Sequence, residues 1–227
     1  MHYNNYQMIT LFRNKNRQHE PVWHVQAAML AAIVLQLLLP DRYVLGSRYT
    51  LIVAETLLLI AMSFTTPKER VFRSISRRIN VFLLIILTSL ANGYSLIEVA
   101  RRLMQAGRVA NGRELILTAV NIYLTNIIIF GLWYWEMDGG GPGQRLKALK
   151  HEQDFLFPQN QHEDYKHPHW QPTFIDYLYV SSTNAMAFSP TDTMPLSRRA
   201  KLLMLAQATL SLIAVALVAA RAVNILH

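Results

Sequence analysis

The chain has 227 residues, no cysteine, 22 basic against 14 acidic side chains and a formal net charge of +8. Without cysteine, disulfides, thiolate metal sites and cysteine nucleophiles are excluded. A mean hydropathy of +0.17 hides strong segregation, with apolar residues in five long blocks and charges at their ends. That pattern belongs to a membrane-spanning chain rather than a nucleic-acid binder.

Residues 1–21 are polar and mixed, and read as a cytoplasmic N-terminal segment. The first apolar block, 22–39, has Trp23 at its start and Pro40 after it. No small-residue cleavage pattern follows it, so it reads as a retained span. Further blocks cover 43–64, 80–100 and 114–136, the last closing on Trp133, Tyr134 and Trp135 as an interfacial belt would. Residues 22–136 are thus a predicted four-helix transmembrane region. The final block is 202–226. Each block is roughly 18–25 residues, the length a helix needs for a hydrocarbon layer of about 30 Å.

A polar loop, 137–172, separates the fourth block from the rest. It opens with Asp138-Gly139-Gly140-Gly141-Pro142-Gly143, which cannot continue a helix. Its His151, Glu152, Asp154, His162, Glu163, Asp164, His167 and His169 show no recognised metal spacing and read as a solvated loop. No phosphate-binding loop and no nucleophile elbow is visible. Neither an enzyme nor a cofactor is expected.

Residues 173–227 hold the most informative pattern. The segment 174–189 is short for a span and carries Ser181, Ser182, Thr183 and Asn184 at its centre. Basic residues weigh on its topology. If it dips in and returns, 15 of the 22 basic residues share the N-terminal side; if it crosses, 13 do. The larger bias favours a cytoplasmic N-terminus, five spans and a re-entrant helix, with a sixth crossing helix as the alternative.

A short helix, then Thr183 to Ser189, then Asp192-Thr193-Met194-Pro195 and a long apolar helix resembles the pore layout of potassium-type channels. Phe188 takes the place of the filter aromatic, and Asp192 and Pro195 those of the following acid and proline. Ala187 and Ser189 stand where that pattern has glycines, and Pro190-Thr191 is an insertion. The resemblance makes Thr183, Asn184, Phe188 and Asp192 candidate pore-lining residues, without potassium selectivity.

Polar residues also lie inside the spans. Thr118, Asn121 and Thr125 share one face of the fourth; Thr88 and Asn92 pair in the third, and Gln207 and Ser211 in the last. Such stripes glue helices together or line a hydrophilic path. Glu55, near the middle of 43–64, costs on the order of 2.5–3.5 kcal/mol to insert unless paired, which marks it as a proton or cation site or as a residue nearer an interface.

Three stretches together carry a family resemblance: Arg113 through Trp135-Glu136 to the Gly-Gly-Pro, Asp154-Phe155-Leu156-Phe157-Pro158-Gln159, and Asp176-Tyr177-Leu178-Tyr179 through Pro195 to Asn224. The chain resembles a family of uncharacterised bacterial multi-span membrane proteins similar to the DUF1345 group. The resemblance covers the C-terminal half. It implies a bacterial cell membrane and no activity.

The expectation is an all-α integral membrane protein with the lipid bilayer as its main partner. Its expected function is channel-like permeation of small cations through a homo-oligomer, a tetramer if a channel. The alternatives are a non-transporting scaffold that binds a partner, or a proton-coupled carrier using Glu55.

Overall fold

In a computed structural model, residues 23–64, 75–105, 112–145, 153–160, 170–186 and 192–225 are described. Phe188 lies outside them. The chain is all-α: α1 (Trp23–Leu37), α2 (Arg48–Phe64), α3 (Ile75–Gln105), α4 (Gly112–Met137), α5 (Phe174–Met186) and α6 (Arg198–Ile225). Among the described residues two short strands occur, β1 (Phe155–Leu156) and β2 (Met194–Pro195).

Helix ends follow from local chemistry. Pro40 disfavours helical backbone at Leu39, so α1 stops at Leu37 and a 3-10 turn, Asp41–Tyr43, follows. Gly46, at φ 68°, completes the reversal into α2. The predicted start of the second span at residue 43 is therefore five residues early. Tyr43 instead packs into the core at 1% exposure, and its carbonyl accepts the Ser95 hydroxyl of α3 at 2.6 Å.

Among the described residues three helical segments are long and apolar enough to cross a membrane: Arg78–Met104, Arg113–Arg145 and Arg198–Ala220. Trp23–Leu37 and Tyr49–Ile60 are apolar but shorter. Polar side chains join the apolar core inside, while large apolar side chains cover the outside. Glu55, Asn92, Asn121, Thr125, Gln207 and Ser211 are inside, whereas Leu57, Leu90, Leu124, Leu205 and Leu212 are outside. Such a surface suits hydrocarbon as the solvent.

α4 is the central post, touching α1, α3, α5 and α6. In its most apolar stretch 67% of residues are buried, against 17% for α6 at the rim. α3 runs antiparallel to α4, placing Arg78 3.7 Å from Glu136. α6 is antiparallel as well, with Asn126 opposite Ser211 and Arg199 near the C-terminal end of α4.

α5 starts beside that same end, where Phe174 meets Trp135 edge-on. It descends until the Ser181 hydroxyl donates to the Ile127 carbonyl at 2.6 Å. At 13 residues it is about 20 Å long, half the length of α4. By β2 the chain is back at the end it left, because Phe155 pairs with Pro195 and Leu156 with Met194. The start of α5 and the strand β2 that follows it therefore lie at the same end of the bundle.

The descent of α5 needs Gly131. A Cβ there would meet the backbone of Leu178 at 3.2 Å. Gly131→Ala is expected to cost about 1 kcal/mol through this overpacking; thermal unfolding in detergent reads it, and an unchanged midpoint would contradict the close approach.

Candidate functional site

Two polar networks hold α5. The deeper one centres on Gln207 of α6. Its side-chain oxygen accepts the Tyr134 hydroxyl at 2.5 Å and the Asn184 amide at 2.9 Å. Its nitrogen donates to the Ser181 carbonyl at 2.8 Å and hydroxyl at 2.7 Å. Asn184 also donates to the Met204 carbonyl at 3.0 Å. The Ser181 hydroxyl and the Asn184 amide are thus spent within one chain, joining α4, α5 and α6.

The second network lies at the mouth of the hairpin. Gly139, Gly140 and Gly141 all have positive φ, at 57°, 81° and 91°. Glycine takes that geometry without steric cost, and the turn keeps Asp138 inside, at 0% exposure. The Asp138 carboxylate accepts the Tyr177 hydroxyl of α5 and the backbone N–H groups of Asp154 and Phe155 at 2.6 and 3.2 Å. Arg145 stands 3.8 Å from it, donates to Tyr177 at 2.8 Å and to the Trp135 carbonyl at 3.0 Å, and lies over the Tyr177 ring.

Asp154, itself 1% exposed, accepts the Gly139 N–H at 3.3 Å and Arg199 of α6 at 3.2 Å. It departs from the solvated reading of its loop because Phe155 and Phe157 pack on Tyr177, and Phe155 also on Tyr134, drawing this stretch inside. One cluster therefore ties the end of α4, β1, the start of α5 and the start of α6.

The remaining candidates are dispersed. Glu55 of α2 is fully buried, 3.1 Å from the Gln36 amide nitrogen of α1. Its other oxygen, like the oxygen of Gln36, has no hydrogen-bond partner among the described residues. Thr88 of α3 faces the same carboxyl but gives its proton to the Leu84 carbonyl at 2.7 Å. Asn121 donates to the Leu35 carbonyl at 2.8 Å and accepts from Thr125 at 3.4 Å; Asn92 donates to the Ile122 carbonyl at 3.3 Å. All three act as interhelical ties or brace one.

Thr183 is half-buried and bonds back to the Tyr179 and Val180 carbonyls at 2.9 and 3.0 Å, while Asp192 is exposed on the return. At the far end of the bundle Arg42 bridges to Glu114 with Nε at 2.8 Å, and that bond pushes the guanidinium above its ordinary value. Among the described residues no group of three or more His, Asp or Glu side chains could hold a metal ion.

Sequence reasoning missed the mouth cluster. Asp138 directly before three glycines, with an arginine seven residues on, was the available signal. Its partners Asp154 and Tyr177, 16 and 39 residues away, were not visible. No protein family, curated protein or solved structure matches the chain.

Proposed function

We propose that the protein is an inner-membrane protein of a bacterium, with five spans, a cytoplasmic N-terminus and α5 as a re-entrant half-helix. We further propose that an oligomer built around α5 and its return passes small cations. The reading is supported by one observation: a half-length, hydroxyl-rich helix starts at the end of the bundle where the strand after it, β2, also lies, and the bundle has an apolar exterior. Backbone that turns at membrane depth is tolerated where protein or a water-filled path satisfies it. The skew of basic residues, 15 of 22 on one side, supports the orientation.

Because Asn184 is committed inside the chain, the lining falls to Thr183 and Asp192, contributed by several copies around a closed axis. A ring of exposed Asp192 carboxylates attracts cations. Purified protein in liposomes is expected to pass monovalent cations, to have the mass of about four chains in mild detergent, and to lose most of its flux in Asp192→Asn with assembly unchanged. A monomer without flux overturns the reading.

The burial of Glu55 favours a second reading, a proton-coupled carrier. That reading expects saturable, pH-dependent uptake that Glu55→Gln abolishes and Asp192→Asn leaves intact. A non-transporting scaffold would show neither activity and would bring down a partner.

A further inference from the structure

Between α3, α4 and α6, at mid-bundle, lies a cavity of about 170 Å³ walled by Leu96, Ile122, Phe130 and Leu210. Packed interiors leave few voids of more than a water's size, and an apolar space of about 150 Å³ is enough to hold benzene. Three polar residues, Ser89, Asn92 and Asn126, interrupt the apolar wall. Ser89 is satisfied, accepting Trp133 Nε1 at 3.1 Å and donating to the Ile85 carbonyl at 2.6 Å.

The asparagines are not. Asn92 spends its nitrogen on the Ile122 carbonyl at 3.3 Å and Asn126 its nitrogen on the Ser211 hydroxyl at 2.9 Å. Neither carboxamide oxygen accepts a hydrogen bond among the described residues. A carboxamide oxygen can only accept, so the cavity offers apolar volume together with two acceptors that want a donor.

We propose that this cavity is a binding site for a small amphiphile of the phenol kind: an apolar body of about six to ten heavy atoms bearing one O–H or N–H donor. The body fills the space between Leu96, Phe130 and Leu210, and the donor is taken by Asn92 or Asn126. A lipid tail would fill the volume but leave both oxygens unpaired, which is costly in a buried setting. Through Asn126 and its bond to Ser211, the guest fastens α6 to α4.

The test is a fluorine NMR titration of the full chain in detergent with 4-fluorophenol and with fluorobenzene. Saturable binding at one site is expected, with 4-fluorophenol preferred about fivefold to tenfold, the worth of one hydrogen bond. Gly93 lines the cavity, and a Cβ there meets nothing within 4 Å. Gly93→Leu is therefore expected to abolish saturation while the melting midpoint does not fall. Asn92→Leu is expected to keep fluorobenzene binding and weaken the preference for the phenol. Equal affinity for the two probes, no saturation, or saturation untouched by Gly93→Leu would overturn the proposal. So would a stoichiometric lipid that must be extracted before either probe binds, since it would assign the space to an acyl chain.

Discussion

Replacing Asp138 by leucine is expected to unseat α5. Asp138 is fully buried and its carboxylate collects Tyr177, two backbone N–H groups and the nearby Arg145. Removing one member of a buried charge pair leaves the other charge in a poor solvent, which costs about 3–5 kcal/mol. The donors from Asp154 and Phe155 lose their acceptor at the same time. Tyr177→Phe, which removes a single hydroxyl, is expected to cost only about 1–3 kcal/mol. The readout combines an unfolding midpoint with maleimide labelling of Ala185→Cys, the only cysteine in such a chain and a position 5% exposed. Protection from the reagent is expected in the parent and rapid labelling in Asp138→Leu. Equal protection in both would show that the cluster does not hold the hairpin shut.

Gln207→Leu is expected to have the second largest effect. One side chain serves Tyr134, Asn184 and Ser181, so leucine takes the acceptor from the buried Tyr134 hydroxyl and breaks the ties of α6 to Asn184 and Ser181. A buried polar group without its partner costs about 1–3 kcal/mol. Ser211→Ala, one turn further along α6, breaks a single bond to Asn126 and should cost about 0.6 kcal/mol, near the mean for interhelical bonds in membranes. The ranking is the informative result. If Ser211→Ala proves the more damaging, α6 is held by packing at its middle rather than by the Gln207 hub.

The long helices were legible because hydropathy over 18 or more residues is a local property. The blocks at 80–100, 114–136 and 202–226 fall inside α3, α4 and, but for its last residue, α6. The pairing of Gln207 with Ser211 was legible too, since residues four apart share a helix face, and both are fully buried. Thr118, Asn121 and Thr125 face inward for the same reason.

What escaped was long-range. Nothing local in Asp154 distinguishes it from its acidic neighbours in the loop; burial comes from Phe155 and Phe157 docking on aromatic residues of α4 and α5. The boundary of α2 escaped because Tyr43 and Val44 are apolar, yet they belong to a turn packed against α3. Asn184 was read from the sequence as a pore-lining candidate, and its partners on α6, 20 and 23 residues away, were not visible there.

Two-sided labelling of single cysteines tests the re-entrant path most directly, and the cysteine-free chain makes it clean. Gln144→Cys lies before α5, Arg198→Cys after its return, and Arg101→Cys at the opposite end of the bundle; all three positions are exposed. In oriented vesicles an impermeant maleimide is expected to reach residues 144 and 198 from one face and residue 101 only from the other. Labelling of 144 and 198 from opposite faces would mean that α5 goes all the way through, and the hairpin would have to be abandoned.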